Sequence, residues 1–223
     1  MPSMTLEYKA KMEARKKFLS FFPGGFKDEK YYSWERGYKW NAHLLWQKLL
    51  GKEQLTELLA QKNYKEIARI ALYIESKTNL LFSFEKMAIR EALRTAEASK
   101  HFSESLYNLI YGQENPKDRF NDFVAILTLL PRKQTRVLTW PLVTVFGFIA
   151  KPKHNIFLKP KVTRMAAENY RFNFDYSPQP NWNTYQSLKQ FAKQIKSDLS
   201  DLKPKDYIDL QSFIWTLGSD EYA

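Results

Sequence analysis

The segment Val137–Ala150 runs for fourteen residues without a charged side chain. It carries Pro141 and Gly147 and falls short of the roughly twenty apolar residues needed to cross a bilayer. A stretch this apolar has to be buried, so the rest of the chain must supply elements that cover it. A second apolar run, Phe123–Pro131, precedes it, and Arg132, Lys133 and Arg136 separate the two. They therefore cannot join into one membrane span. We expect both runs to pack together at the centre of a domain, with no membrane partner.

The covering elements read as helices. Apolar residues recur at spacings of three and four along most of the chain, and period-two alternation is short wherever it occurs, which predicts an all-α fold. Tyr31, Trp34, Tyr38, Ala42, Leu45 and Leu49 trace one stripe of a helix opened by Asp28 and closed before Gly51. Asn115 and Pro116 supply an N-cap and first turn for a helix with Phe120, Phe123, Leu127 and Leu130 on one face. Trp182, Tyr185, Leu188, Ala192, Ile195 and Leu199 mark another, and a final short helix is expected from Pro204. Shorter helices are expected over 53–61, 64–76, 83–95 and 160–170, giving about nine or ten in a single compact domain spanning 1–223. Gly24–Gly25 in FFPGGF reads as a turn between the first two helices. Phe172–Pro180, with Asn173, Ser177 and two prolines, is the least helical stretch and the place where a subdomain break would fall. The residues beyond it are too few for a core of their own.

The chain contains no cysteine, so disulfides, thiol nucleophiles and iron–sulfur ligation are excluded. The histidines His43, His101 and His154 are widely separated and show no metal-binding spacing, so no metal or other cofactor is expected. The first seventeen residues are charged throughout and lack a cleavable apolar core, which makes the cytoplasm the expected compartment.

Charge is the strongest functional signal. Of a formal net charge of +11, +8 lies between Phe123 and Ala167, where 45 residues include no Asp or Glu. The eight basic residues there are Arg132, Lys133, Arg136, Lys151, Lys153, Lys159, Lys161 and Arg164. This regional asymmetry suggests a surface that meets phosphates, and so a nucleic-acid-binding module or a partner that is another polyanion. Lys159 and Lys161 flank Pro160 at the start of an expected helix. Free N–H groups and the helix dipole there favour an anion, which would explain two cations in an unfavourable place. The simpler expectation is that both lysines meet water or acidic side chains from Glu85 to Glu104.

An enzyme acting on a small anionic or phosphorylated substrate is the alternative, and an interaction domain for an acidic partner is a third. Glu35, Lys39 and His43 lie four residues apart on one helical row, where a Glu and a His can organise a general base, and His154 sits in a basic loop. An exposed salt-bridge row explains the same residues more simply. Asp206, Asp209 and Gln211 open the last helix and read as capping before they read as a magnesium site. Trp34, Tyr38 and Trp182 fall on faces expected to be core, although aromatic and basic neighbours of this kind also stack on bases.

Overall fold

The computed structural model describes residues 6–132 and 136–223. It is 74% helical, all-α, and has no strand among the described residues. α1 spans Leu6–Phe21, and a tight turn follows in which Gly25 takes φ +61°, a conformation glycine adopts without strain. α2 starts after Asp28, whose carboxylate accepts from the backbone N–H groups of Lys30 and Tyr31. It runs as Glu29–Tyr31, one wide turn over Tyr32–Arg36, and Gly37–Leu50. Then come α3 (Lys52–Ala60), α4 (Tyr64–Ser76), α5 (Ser83–Ala92), α6 (Ala96–Tyr111), α7 (Pro116–Leu129), α8 (Trp140–Ala150), α9 (Pro160–Asn169), α10 (Trp182–Asp198) and α11 (Tyr207–Gly218).

α8 is the centre of the fold: every residue from Trp140 to Ala150 is buried. α2, α4, α6 and α7 pack around it. Phe146 meets Trp46 of α2 at 6.4 Å and Phe102 of α6 at 5.4 Å, and Phe102 meets Phe123 of α7 at 6.2 Å. Leu127, Val145 and Phe148 are all buried, so the two charge-poor runs share one core as expected. α11 is almost as enclosed and lies against α9 at very short range, because Gly218 has no side chain. A Cβ there would collide with the carbonyl oxygen of Val162.

Phe172–Pro180 is extended and pinned at both ends. The Trp140 indole donates to the Ser177 carbonyl at 2.8 Å, Ser177 N–H donates to Thr184 Oγ1 at 3.0 Å, and Phe172 stacks on Phe191 at 4.8 Å. A single hydrophobic cluster continues on both sides of this segment.

α2 departs from the expected stripe. Trp34 is 55% exposed and Tyr38 only half-buried, while Glu35, Arg36 and Lys39 are buried. The cause is local. In the wide turn the Gly37 N–H reaches back five residues to the Tyr32 carbonyl, which rotates the helix face relative to a regular 3.6-residue repeat. Tyr31, Ala42, Trp46 and Leu50 then share the inward side with the charged residues.

Candidate anion-binding groove

α10 is amphipathic in a simple way. Asn181 caps its start by accepting from the Thr184 N–H at 2.9 Å, and Tyr185, Leu188, Ala192 and Ile195 face the core. The opposite stripe, at spacings of three and four, is Gln186, Lys189, Gln190, Lys193 and Lys196. Two loops complete a groove alongside it. The loop after α8 brings Lys153, and the loop before α11 brings Lys205. A hydrogen bond from Tyr207 N–H to the Pro152 carbonyl, at 2.9 Å, ties these loops together. The groove encloses about 590 Å³ and presents five lysines against a single lining carboxylate, Asp206.

That carboxylate is already neutralised. Arg36 reaches it from α2 with two hydrogen bonds, at 2.9 and 2.7 Å, and donates a third to Asp209 at 2.7 Å. Asp206 also caps α11, accepting from Ile208 N–H at 2.9 Å. Asp209 further accepts from the Tyr31 hydroxyl at 2.6 Å and from Lys205 N–H at 2.7 Å. Desolvation disfavours the guanidinium charge, but the two carboxylates outweigh it and hold the Arg36 pKa above its ordinary value. Asp206 and Asp209 are therefore capping and ion-pairing groups, and among the described residues no group of three His, Cys, Asp or Glu is placed to hold a metal.

None of the five groove lysines makes an ion pair among the described residues. Lys189 is half-buried, and desolvation pushes its ammonium below the ordinary lysine value. Lys189 also borders a recess shared with Arg119. Beyond Arg119 lies Lys151, which is over the Tyr111 ring at 4.9 Å and is pushed down by burial and by repulsion from Arg119 and Lys52. A basic band thus continues from the groove past Arg119 to Lys151 and Lys52.

The eight residues of the acid-free segment do not form one surface. Lys153 lines the groove and Lys151 joins the band. Arg132 is exposed and Lys133 lies outside the described residues. Arg164 stacks over Tyr176 at 5.1 Å. Arg136, Lys159 and Lys161 border a different cleft, near the start of α9. Both lysines there have acidic partners. Lys159 is buried between Glu85 (3.3 Å) and the Leu80 carbonyl (3.1 Å), and burial still holds it below the ordinary lysine value; Lys161 pairs with Asp220 at 2.8 Å. Ion pairing within the chain accounts for both lysines.

Glu35, His43 and His154 have no partner in common. Glu35 is buried, accepting from Lys39 Nζ at 3.0 Å and from the Tyr222 hydroxyl at 2.6 Å. The Glu35–Lys39 pair is therefore a core feature rather than an exposed row. His43 Nδ1 sits 2.9 Å from the Ile149 carbonyl, and His154 is exposed in the turn after α8. Sequence reading passed over Lys189, Lys193, Lys196 and Lys205, because outside the acid-free segment the charge looks balanced. The available signal was α10 itself, which has no acid before Asp198 to pair with lysines three or four residues away.

Compared with protein-family models, with curated proteins and with solved structures, the chain has no match.

Proposed function

We propose that the protein binds nucleic acid through the lysine groove of α10, with Lys151, Arg119 and Lys52 extending the contact. The observation that carries this reading is five lysines around one groove whose sole lining carboxylate is held by Arg36. Lysines serve as point charges for phosphate, and a row of them along a helix follows a backbone without reading sequence. The groove lacks a histidine and a free carboxylate, which supports binding over acid–base catalysis.

The test is fluorescence anisotropy with single- and double-stranded oligonucleotides across a salt series. Each neutralised phosphate contributes roughly 0.7–0.9 to the slope of log affinity against log salt, so K189A/K193A/K196A should flatten that slope by about two to three. K161A, which removes a lysine already paired with Asp220, should leave the slope unchanged. The absence of binding at low salt, or equal slopes for the triple variant and the parent, would refute the proposal.

A further inference from the structure

A second cavity, of about 320 Å³, opens on a different face of α11 from the groove: Asp206 and Leu210 line the groove, whereas Gln211 and Trp215 line the cavity. Its walls are aromatic, formed by Trp34, Tyr38, Phe82, Phe157 and Trp215. Its volume is at the lower end of the range for small-ligand sites, about 300–1,000 Å³.

The charged groups lining it already have partners. Glu35 is held by Lys39 and Tyr222, and Lys39 also donates to Ser212 Oγ at 2.9 Å. Lys159 is held by Glu85, and Glu221 accepts from the Trp215 indole at 3.1 Å. One polar group is left over. Gln211 is 4% exposed, its side chain makes no hydrogen bond, and its Oε1 is the one buried side-chain polar atom without a partner among the described residues. A buried carboxamide oxygen in that state costs about 1–3 kcal/mol unless something pairs with it. The amide offers one acceptor and two donors; Oε1 is sealed as it stands, and pairing it with a guest requires a turn about the last side-chain torsion toward the cavity that Gln211 lines.

We propose that this cavity binds an uncharged planar heterocycle of the nucleobase class, with an adjacent donor and acceptor on one edge facing Gln211 and its ring faces against the aromatic walls. The inference does not depend on the lysine groove. Both lining lysines are paired with carboxylates, so an anionic ligand would find no free cation among the lining residues, and a purely apolar one would leave the amide unpaired. Trp34, whose ring also carries Lys30 Nζ at 4.3 Å, is exposed at the rim, where it can close over a planar guest.

The probes are free uracil and adenine, their nucleosides, and a short single-stranded oligonucleotide. They are titrated into the full chain while the side-chain amide resonances of Gln211 are followed by ¹H–¹⁵N NMR. We expect a saturable shift of those resonances in the parent; with binding read in every chain from the Trp215 indole N–H, affinity should fall tenfold or more in Gln211→Leu and fall also in Trp34→Ala, and free-base binding should be unchanged in K189A/K193A/K196A. Nucleosides binding more tightly than the oligonucleotide would identify a free small molecule as the source of the ring. The reverse order would identify a base on a strand, and either order supports the site. Gln211→Leu removes an unpaired polar group and should melt no lower than the parent. If that variant fails to fold, Trp34→Ala carries the test. A Gln211 resonance silent to every probe, or undiminished binding in the variants, overturns the site, and oligonucleotide binding that persists with Gln211 silent overturns it while leaving the groove intact.

Discussion

Removing Arg36 isolates the best-defined electrostatic feature of the fold. Its side chain is 6% exposed, and its three hydrogen bonds hold two carboxylates whose side chains are 3% and 0% exposed. Arg36→Met keeps a chain of similar length while leaving both Asp206 and Asp209 without a counter-ion. Breaking a buried ion pair from one side costs about 3–5 kcal/mol, because the remaining charge stays desolvated. For a chain of this size each kcal/mol lowers the melting temperature by about 2–4 °C, so the melt should fall by about 6–20 °C. Circular dichroism melts, checked by urea titration, measure this directly. The companion variant R36M/D206N/D209N removes the charges but keeps an acceptor at both positions, so it should be more stable than R36M alone. A loss below about 1 kcal/mol for R36M would mean that water reaches these carboxylates. A companion less stable than the single variant would place the loss in packing rather than charge.

Three further outcomes follow from particular contacts. Gly218→Ala forces a methyl group into the Val162 carbonyl and should destabilise by about 1–3 kcal/mol or more through separation of α9 and α11, so an unchanged melt would contradict their close packing. Burial, reinforced by Asp209 at Tyr31, by Asp198 at Tyr170 and by Glu35 at Tyr222, raises these phenols above the ordinary tyrosine value, and burial, with a smaller contribution from Tyr207, raises Tyr185 against the lowering effect of the Ile156 N–H. Because the folded state keeps these protons, stability should be complete below about pH 10 and fall as pH rises above it; ultraviolet titration should show these four of the 13 tyrosines ionising only on unfolding, and full ionisation of native protein would refute this. Burial lowers Lys189 and Lys151, so anion affinity at fixed salt should begin to fall before the ordinary lysine range near pH 10.5 is reached. K151A/K189A should move that onset upward, and a profile flat to pH 10 in the parent would count against both lysines as contacts.

Where the sequence could be read, a local rule coincided with a global need. Val137–Ala150 has no surface on which it could lie, and Asn115, Asn181 and Asp28 cap the helices that periodicity places after them. The same reasoning fails at α2. A regular repeat sends Trp34 inward and Arg36 outward, but one wide turn changes the phase, and Arg36 is inside because Asp206 and Asp209, 170 and 173 residues away, meet it there. At the start of α9 the simpler expectation holds for Lys159, whose partner Glu85 lies 74 residues earlier within the expected acidic stretch, whereas Lys161 pairs with Asp220, outside that stretch. Periodicity sees neighbours on one helix, whereas pairing across the fold decides which charges stay free.

That distinction also explains why the acid-free segment and the groove share only Lys153. A run without acids measures charge along the chain, but the potential felt by a ligand depends on which cations lack a carboxylate in space. Lys159 and Lys161 lie in the acid-free segment and are neutralised by Glu85 and Asp220. Lys189, Lys193 and Lys196 lie outside it, yet no acid reaches them, and the acid nearest their groove, Asp206, is turned to Arg36. Burying Arg36 therefore has an effect beyond the core. By occupying Asp206, it prevents that carboxylate from neutralising a groove lysine, so the stability of the core and the positive potential of the groove depend on the same guanidinium.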